Sequence, residues 1–284
     1  MVKAPAVAPP TASRGDVALT ALILLAPPGV LIAGWFLRPV WGWLVIMGLL
    51  AVFIMLVGHH IVGVWRGALI DQRNKVSLSQ LQMALWTVLV IAGFLTVALY
   101  NVRTRQADPL KITVPPRLWA LLGISSTSLV GSALIKQEKA KVTPEPNAAK
   151  RAMAHAAPHV APGQIVPQGT QLVMAADPDA PDPADPALTQ GVLTVNQSPD
   201  QSSWSDMFRA EEIGNATHLD LGKIQMFYFT ILIVFAYAVA VGSLLAHASG
   251  KITDFPALGD GEVALLGISH AAYLTNKTVS RTPT

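Results

Sequence analysis

Long apolar runs separated by short polar stretches set the plan of the chain. Residues 17–37, 40–64, 81–100 and 224–246 each hold an apolar stretch of bilayer length, since a hydrocarbon core of about 30 Å takes roughly 20 helical residues to cross. The run at 81–100 carries no charge at all, and the one at 40–64 leads into Trp65-Arg66, an aromatic-plus-cation anchor for the interface. The first run has Ala26-Pro27-Pro28-Gly29 at its centre, and the double proline predicts a break or kink there. Two weaker segments complete the set. Residues 118–135 are apolar but polar in the middle, at Ser125, Ser126, Thr127 and Ser128, while 263–274 begin behind Glu262 and reach only about 18 Å as a helix.

Between the halves, residues 137–202 change character. A basic portion gives way to an acidic one, Asp177 to Pro186, in which proline recurs every two or three residues. That spacing removes backbone donors, and an Ala/Pro/Asp composition buries no core, so the segment predicts a disordered linker. After it, Trp204, Met207, Phe208, Glu211 and Ile213 follow a helical spacing, which predicts a short amphipathic helix on the interface, anchored by Trp204 and Phe208.

The halves on either side of the linker repeat one another. Leu78-Ser79-Gln80-Leu81-Gln82-Met83 corresponds to Leu221-Gly222-Lys223-Ile224-Gln225-Met226 at an offset of 143, and Thr87 and Leu89 match Thr230 and Leu232. Ala120-Leu121-Leu122-Gly123-Ile124-Ser125 is identical to Ala264-Leu265-Leu266-Gly267-Ile268-Ser269 at an offset of 144. Ser77 and Asp220 align as helix N-caps, and Ser77 with Gln80 makes a capping box. Gln82 and Gln225 fall one turn inside, where an amide bonds a neighbouring helix or is solvated. Gly123 and Gly267 permit close helix packing. Ser125 and Ser269, with Ser126, Thr127 and His270 just beyond, either pack at the same contact or line a polar path.

The predicted fold is therefore all-α: a polytopic membrane helix bundle of about six spans with two parallel helix-pair repeats. Its parts are a disordered tail at 1–16, a transmembrane hairpin at 17–66, repeat one at 67–136, the linker at 137–202, and repeat two with its interfacial helix at 203–284.

Composition agrees. Hydrophobic residues make up 52% and charged residues 13%, against about a quarter charged in soluble domains. The net charge of +3 reflects basic residues flanking apolar segments, so no nucleic acid is expected as a partner. With the amino terminus cytoplasmic and six crossings, 14 of the 20 Lys and Arg fall inside and six outside, the bias that orients membrane proteins. The absence of cysteine excludes disulfides and thiol chemistry. His59-His60 cannot clamp a metal from one helix face, and His155 and His159 lie in the proline-rich linker without a carboxylate nearby. No triad, phosphate loop or metalloprotease pattern occurs, so neither enzyme activity nor a cofactor or metal is expected.

The stretch Trp204-Ser205-Asp206-Met207-Phe208-Arg209-Ala210-Glu211-Glu212-Ile213-Gly214-Asn215, the run Leu219 to Met226, Asp71-Gln72-Arg73-Asn74 before Ser77, and the two Leu-Leu-Gly-Ile-Ser elements resemble a group of uncharacterised bacterial multi-pass membrane proteins. The resemblance covers both repeats but neither the linker nor the tail. It implies an inner-membrane location and brings no activity. Two functions fit: a non-enzymatic scaffold in the lipid bilayer that docks a protein partner through 137–202 and the interfacial helix, or a channel or transporter with a path between the repeats. Self-association into a homo-oligomer is compatible with either.

Overall fold

The computed structural model describes residues 14–144, 189–216 and 218–282. The beginning of the tail and most of the linker, with His155 and His159, lie outside them. Six helices carry the described chain: α1 (Arg14–Phe36), α2 (Pro39–Val62), α3 (Leu78–Arg103), α4 (Pro116–Ala140), α5 (Leu221–Ala246) and α6 (Asp260–Thr278). The sole sheet among the described residues is a hairpin of β1 (Thr189–Gln190) and β2 (Leu193–Thr194), with Thr189 opposite Thr194.

Helices α2, α3, α4 and α5 are long and apolar enough to cross a membrane, so the chain is a multi-pass membrane helix bundle. The serine-rich segment, weak in sequence, is one of the four: it lies inside a helix of 25 residues that starts on Pro116 and extends past Lys136. α6 also outgrows its apolar core, and its 19 residues span about 28 Å. Pro27 and Pro28 do not end α1, which runs through both although each proline lacks the N–H of an intrahelical bond.

The chain divides into two compact units, with α3 and α5 contributing to both. Unit one holds α1, α2, the greater part of α3 and the C-terminal part of α5. Trp86 meets Tyr237 at 6.2 Å between rings, and further along the Tyr100 hydroxyl donates to Ala248 O at 3.3 Å. Here α3 and α5 therefore run in the same direction. Their C-terminal ends are tied by Asn101, fully buried, whose Nδ2 donates to Ile252 O at 2.8 Å and to Pro109 O at 3.1 Å, while Oδ1 accepts from Ile252 N at 3.0 Å. A single parallel bridge between Thr113 and Asp254 zips the two following loops together. α2 ends at Gly63, in the left-handed region at φ 87°, and the chain folds back so tightly that a Cβ on Gly58 would sit 2.2 Å from Ala68 N.

Unit two holds the first turn of α3, all of α4 and α6, the N-terminal part of α5 and the polar segments between them. α4 and α6 also run in the same direction: Arg117 pairs with Asp260 near their starts, and Ser132 meets Tyr273 Oη at 3.3 Å further along. The core is built from Val76, Leu78, Met207, Met226 and Tyr273, with Phe208 edge-on to Phe227 at 5.2 Å. Asp220 caps α5, accepting from Lys223 N at 3.2 Å. The capping box expected at Ser77 does not form, because the Ser77 amide donates to Leu69 O instead, at 2.8 Å.

Two expectations about the polar segments are corrected. Residues 137–202 are not disordered throughout. Their first residues continue α4, and the hairpin at 189–194 seats on the end of that helix, with Val192 N donating to Lys139 O at 3.3 Å. Gly191 makes this fit: its φ is 58°, and a Cβ there would lie 2.4 Å from Lys139 O. The interfacial α-helix is absent as well. Trp204–Met207 form one 3-10 turn closed by a Ser203–Asp206 capping box. Beyond it the chain stays extended enough for Leu193 to bridge Glu212 and Arg209 to bridge Leu219. The extended pairing wins because it turns Met207 and Ile213 into the core together with Glu212, whereas a surface helix would leave the acidic pair against lipid.

Candidate functional site

The polar groups of unit two converge on a buried ion cluster. Its first part is a tight turn in which Ile70 bridges Val76 and Asn74 takes φ 56°. The Asp71 carboxylate organises the turn by accepting from Arg73 N at 3.0 Å and Lys75 N at 3.3 Å. The same carboxylate receives Arg73 Nη2 at 2.9 Å and Nε at 3.1 Å, and Lys136 Nζ from α4 at 2.7 Å. Burial by itself would raise the Asp71 carboxyl, but Arg73 and Lys136 outweigh it and hold the group well below the ordinary carboxylate range.

Glu211 is the hub. Its Oε1 accepts from Lys223 Nζ at 2.9 Å, Oε2 lies 2.6 Å from Lys277 Nζ, and Arg73 Nη2 is 3.4 Å away. Burial pushes Glu211 upward too, and Lys223, Lys277 and Arg73 together reverse the effect, so its carboxyl stays far below the usual value. Lys277 Nζ also donates to Ser132 Oγ at 2.8 Å and Tyr273 Oη at 2.9 Å, and Lys223 Nζ donates to Arg209 O at 2.7 Å. Glu212 pairs with Lys139 and accepts from Arg281 N at 2.6 Å. Lys75, donating to Thr194 Oγ1 at 2.5 Å, is drawn down to about 8, by burial first and then by the Arg73 charge. The carboxylates of Asp71, Glu211 and Glu212 are thus surrounded by a larger set of cations. Because these salt bridges join segments from five places in the chain, their effect is to clamp the polar loops to the ends of α4, α5 and α6.

Beside the cluster lies a cavity of about 520 Å³ whose wall combines Asp71, Arg73, Gln80 and Lys136 with Val130 and Leu134. Arg73 Nη1 and Gln80 Oε1 are each fully buried without a hydrogen-bond partner among the described residues.

The residues singled out in sequence are divided by the structure. Gln82 is buried, and its Nε2 donates to Thr230 Oγ1 at 2.7 Å, whereas its counterpart Gln225 is exposed. Ser125, Ser269 and His270 are buried. Ser126 and Thr127 are exposed, and the Ser126 hydroxyl merely returns to Leu122 O at 2.8 Å, so they do not join Ser125 in one lining. Gly123 makes no close approach, since a Cβ there would meet nothing within 4 Å, and one on Gly267 would only touch Ile124 at 3.7 Å. Among the interfacial anchors, Trp65 is exposed and lies 4.5 Å from the His59 ring, Arg66 is half-buried, and Trp204 is exposed. Phe208 instead packs on the unit-two core.

Sequence reasoning missed the ion cluster itself. Arg73, Lys136, Lys223 and Lys277 entered as flanking positive charge or as members of a repeated or resembling stretch, never as partners of a carboxylate. A signal was present in Glu211-Glu212: two adjacent carboxylates close to an apolar helix need cations nearby if they are to be buried. No protein-family model matches the chain, and no curated protein or solved structure matches it either.

Proposed function

We infer that the chain is a non-enzymatic membrane scaffold that docks a protein partner through its polar segment, in a bacterial inner membrane with the amino terminus cytoplasmic. The bacterial setting rests on the sequence resemblance, and the orientation on the distribution of Lys and Arg. One observation carries the docking: Glu211, bonded by Lys223, Lys277 and Arg73, fixes the chain around it to the helix ends. The polar segment from 145 to 188 therefore leaves from and returns to firm points, as a presenting platform requires. Among the described residues, Asp, Glu, Lys and Arg keep to the ends of the four apolar helices, which favours a structural role over charge transport.

On this reading all six helices cross, and α3–α4 and α5–α6 are two parallel copies of one hairpin. Support comes from the equal 26-residue lengths of α3 and α5, whose starts differ by 143 residues, and from the shared direction of each corresponding pair. Deleting residues 145–188 while keeping the clamp is the decisive test. A partner that crosslinks to the full chain in native membranes and is lost from the deletion supports docking there; a partner retained at full yield refutes it.

A second reading, a channel or transporter, draws on Ser269 Oγ and His270 Nδ1, which are buried without hydrogen-bond partners among the described residues. Ion flux through the purified protein in liposomes, abolished by Ser125→Leu or His270→Ala, would favour it over the scaffold. A flux-silent protein would end it.

A further inference from the structure

The segment leading into α5 turns one face toward the protein and the other away from it. Ala210 N donates to His218 O at 3.0 Å and Asp220 N to Phe208 O at 2.8 Å. Arg209 and Leu219 therefore oppose each other in a short antiparallel ladder as its narrow, non-hydrogen-bonded pair. Side chains alternate between faces along such strands. Phe208 and Asp220 take the inner face, where Phe208 meets the Phe227 ring at 5.2 Å and Asp220 caps α5. Arg209 and Leu219 take the outer face side by side, and both are exposed. The ladder is firmly seated, because the buried Lys223 donates its Nζ to Arg209 O at 2.7 Å.

Two features of the outer face decide what covers it. The first is apolar continuity. Leu219 and Leu221 are 61% and 72% exposed, and Leu221 heads an exposed stripe of Tyr228, Leu232 and Phe235 on α5. At 3.6 residues per turn these four lie within about 60° of one another. Since α5 is long and apolar enough to cross a membrane, that stripe faces acyl chains, and Leu221 with Leu219 carries the lipid-facing surface past the start of the helix. The second feature is charge. Arg73, Lys136, Lys139, Lys223 and Lys277 each have a carboxylate partner. Among the described residues no carboxylate pairs with Arg209, whose guanidinium stands open next to the two leucines.

We propose that this ladder rests in the phospholipid headgroup layer, with Arg209 donating to a lipid phosphate and Leu219 and Leu221 at the acyl boundary beneath it. A lipid phosphate is an anionic acceptor matched to a guanidinium, and it is held directly above the acyl chains that the neighbouring leucines require. Arg suits such a level, since its stem lies along apolar surface while its head stays among polar groups. The contact does not depend on docking at the polar segment, so either reading can fail alone.

The chain has no cysteine, so a fluorophore on Leu219→Cys reports from one position of the full-length protein in phosphatidylcholine vesicles. Acrylamide is the quencher in the water. Phosphatidylcholine and phosphatidic acid, each with the same nitroxide high on an acyl chain, are the quenchers in the membrane. A label on Lys141→Cys, exposed just past the end of α4, is the reference for a position in water. The Leu219→Cys label should be shielded from acrylamide relative to that reference and quenched by both lipids. Phosphatidic acid should be enriched around it about fivefold over phosphatidylcholine, the effect of one basic residue near an anionic lipid surface. Arg209→Gln keeps the backbone bond from Lys223 and should abolish that preference while leaving quenching by phosphatidylcholine in place. A label as open to acrylamide as the reference puts the ladder in water, where a protein partner would meet it, and overturns the proposal. Equal quenching by the two lipids, or a preference that survives Arg209→Gln, overturns it as well.

Discussion

Replacing Glu211 by Gln keeps the shape of the hub and removes its charge. The glutamate side chain is 13% exposed, and Lys277, Lys223 and Arg73 stand at 2.6, 2.9 and 3.4 Å with side chains no more than 7% exposed. Three cations would then face one another across a neutral amide that offers a single acceptor. Removing one partner of a buried pair costs about 3–5 kcal/mol, most of it from the charge left behind, and Glu211→Gln belongs at the upper end of that range. Reversible unfolding in mixed detergent micelles, titrated with a denaturing detergent, measures the loss. The exposed Arg117–Asp260 pair, at 47% and 86% side-chain exposure, is the internal standard, because such a pair contributes about 1 kcal/mol at most. The pH dependence follows from the depressed Glu211 carboxyl. Its stabilisation is fully present above the unfolded-chain value of about 4.3 and is lost as pH falls toward the folded value. The gap between the wild-type chain and Glu211→Gln should narrow in strong acid, where the Glu211 carboxyl takes up its proton. A gap below about 1 kcal/mol, no larger than that of Arg117→Ala, would refute the buried hub.

Three further outcomes test other parts of the fold. Lys75 is drawn down to about 8 from 10.5, so between those values the unfolded chain binds more protons than the folded one. Stability should therefore rise with pH across that window, and Lys75→Met should make the rise less steep. Gly58→Ala would place a Cβ 2.2 Å from Ala68 N; the backbone there has little room to give, so a loss of about 1–3 kcal/mol is expected in the same titration. Gln82→Leu strands Thr230 and should cost about 1 kcal/mol, while Gln82→Leu with Thr230→Val should cost less than the two single changes added together, because no half-satisfied hydrogen bond is left in the core.

The apolar runs by themselves determined that this is a helical membrane protein, because a stretch of bilayer length without charge has few other stable states. Helix starts were also legible where a local rule applies, as at Asp220, whose carboxylate reaches an amide three residues on. Local rules failed where a distant segment competed for the same group. Ser77 looks like a capping residue until Leu69 O takes its amide, and 203–213 scan as an amphipathic helix until β2 offers a partner. Near-identical positions also part company, with Gln82 buried on Thr230 and Gln225 exposed. The ion cluster was decided by tertiary structure alone. Lys277 and Glu211 are 66 residues apart, and Arg73 and Glu211 are 138 apart. No sequence spacing selects those pairings over others, and only the three-dimensional arrangement that takes these charges out of water makes it costly to leave any of them unmatched.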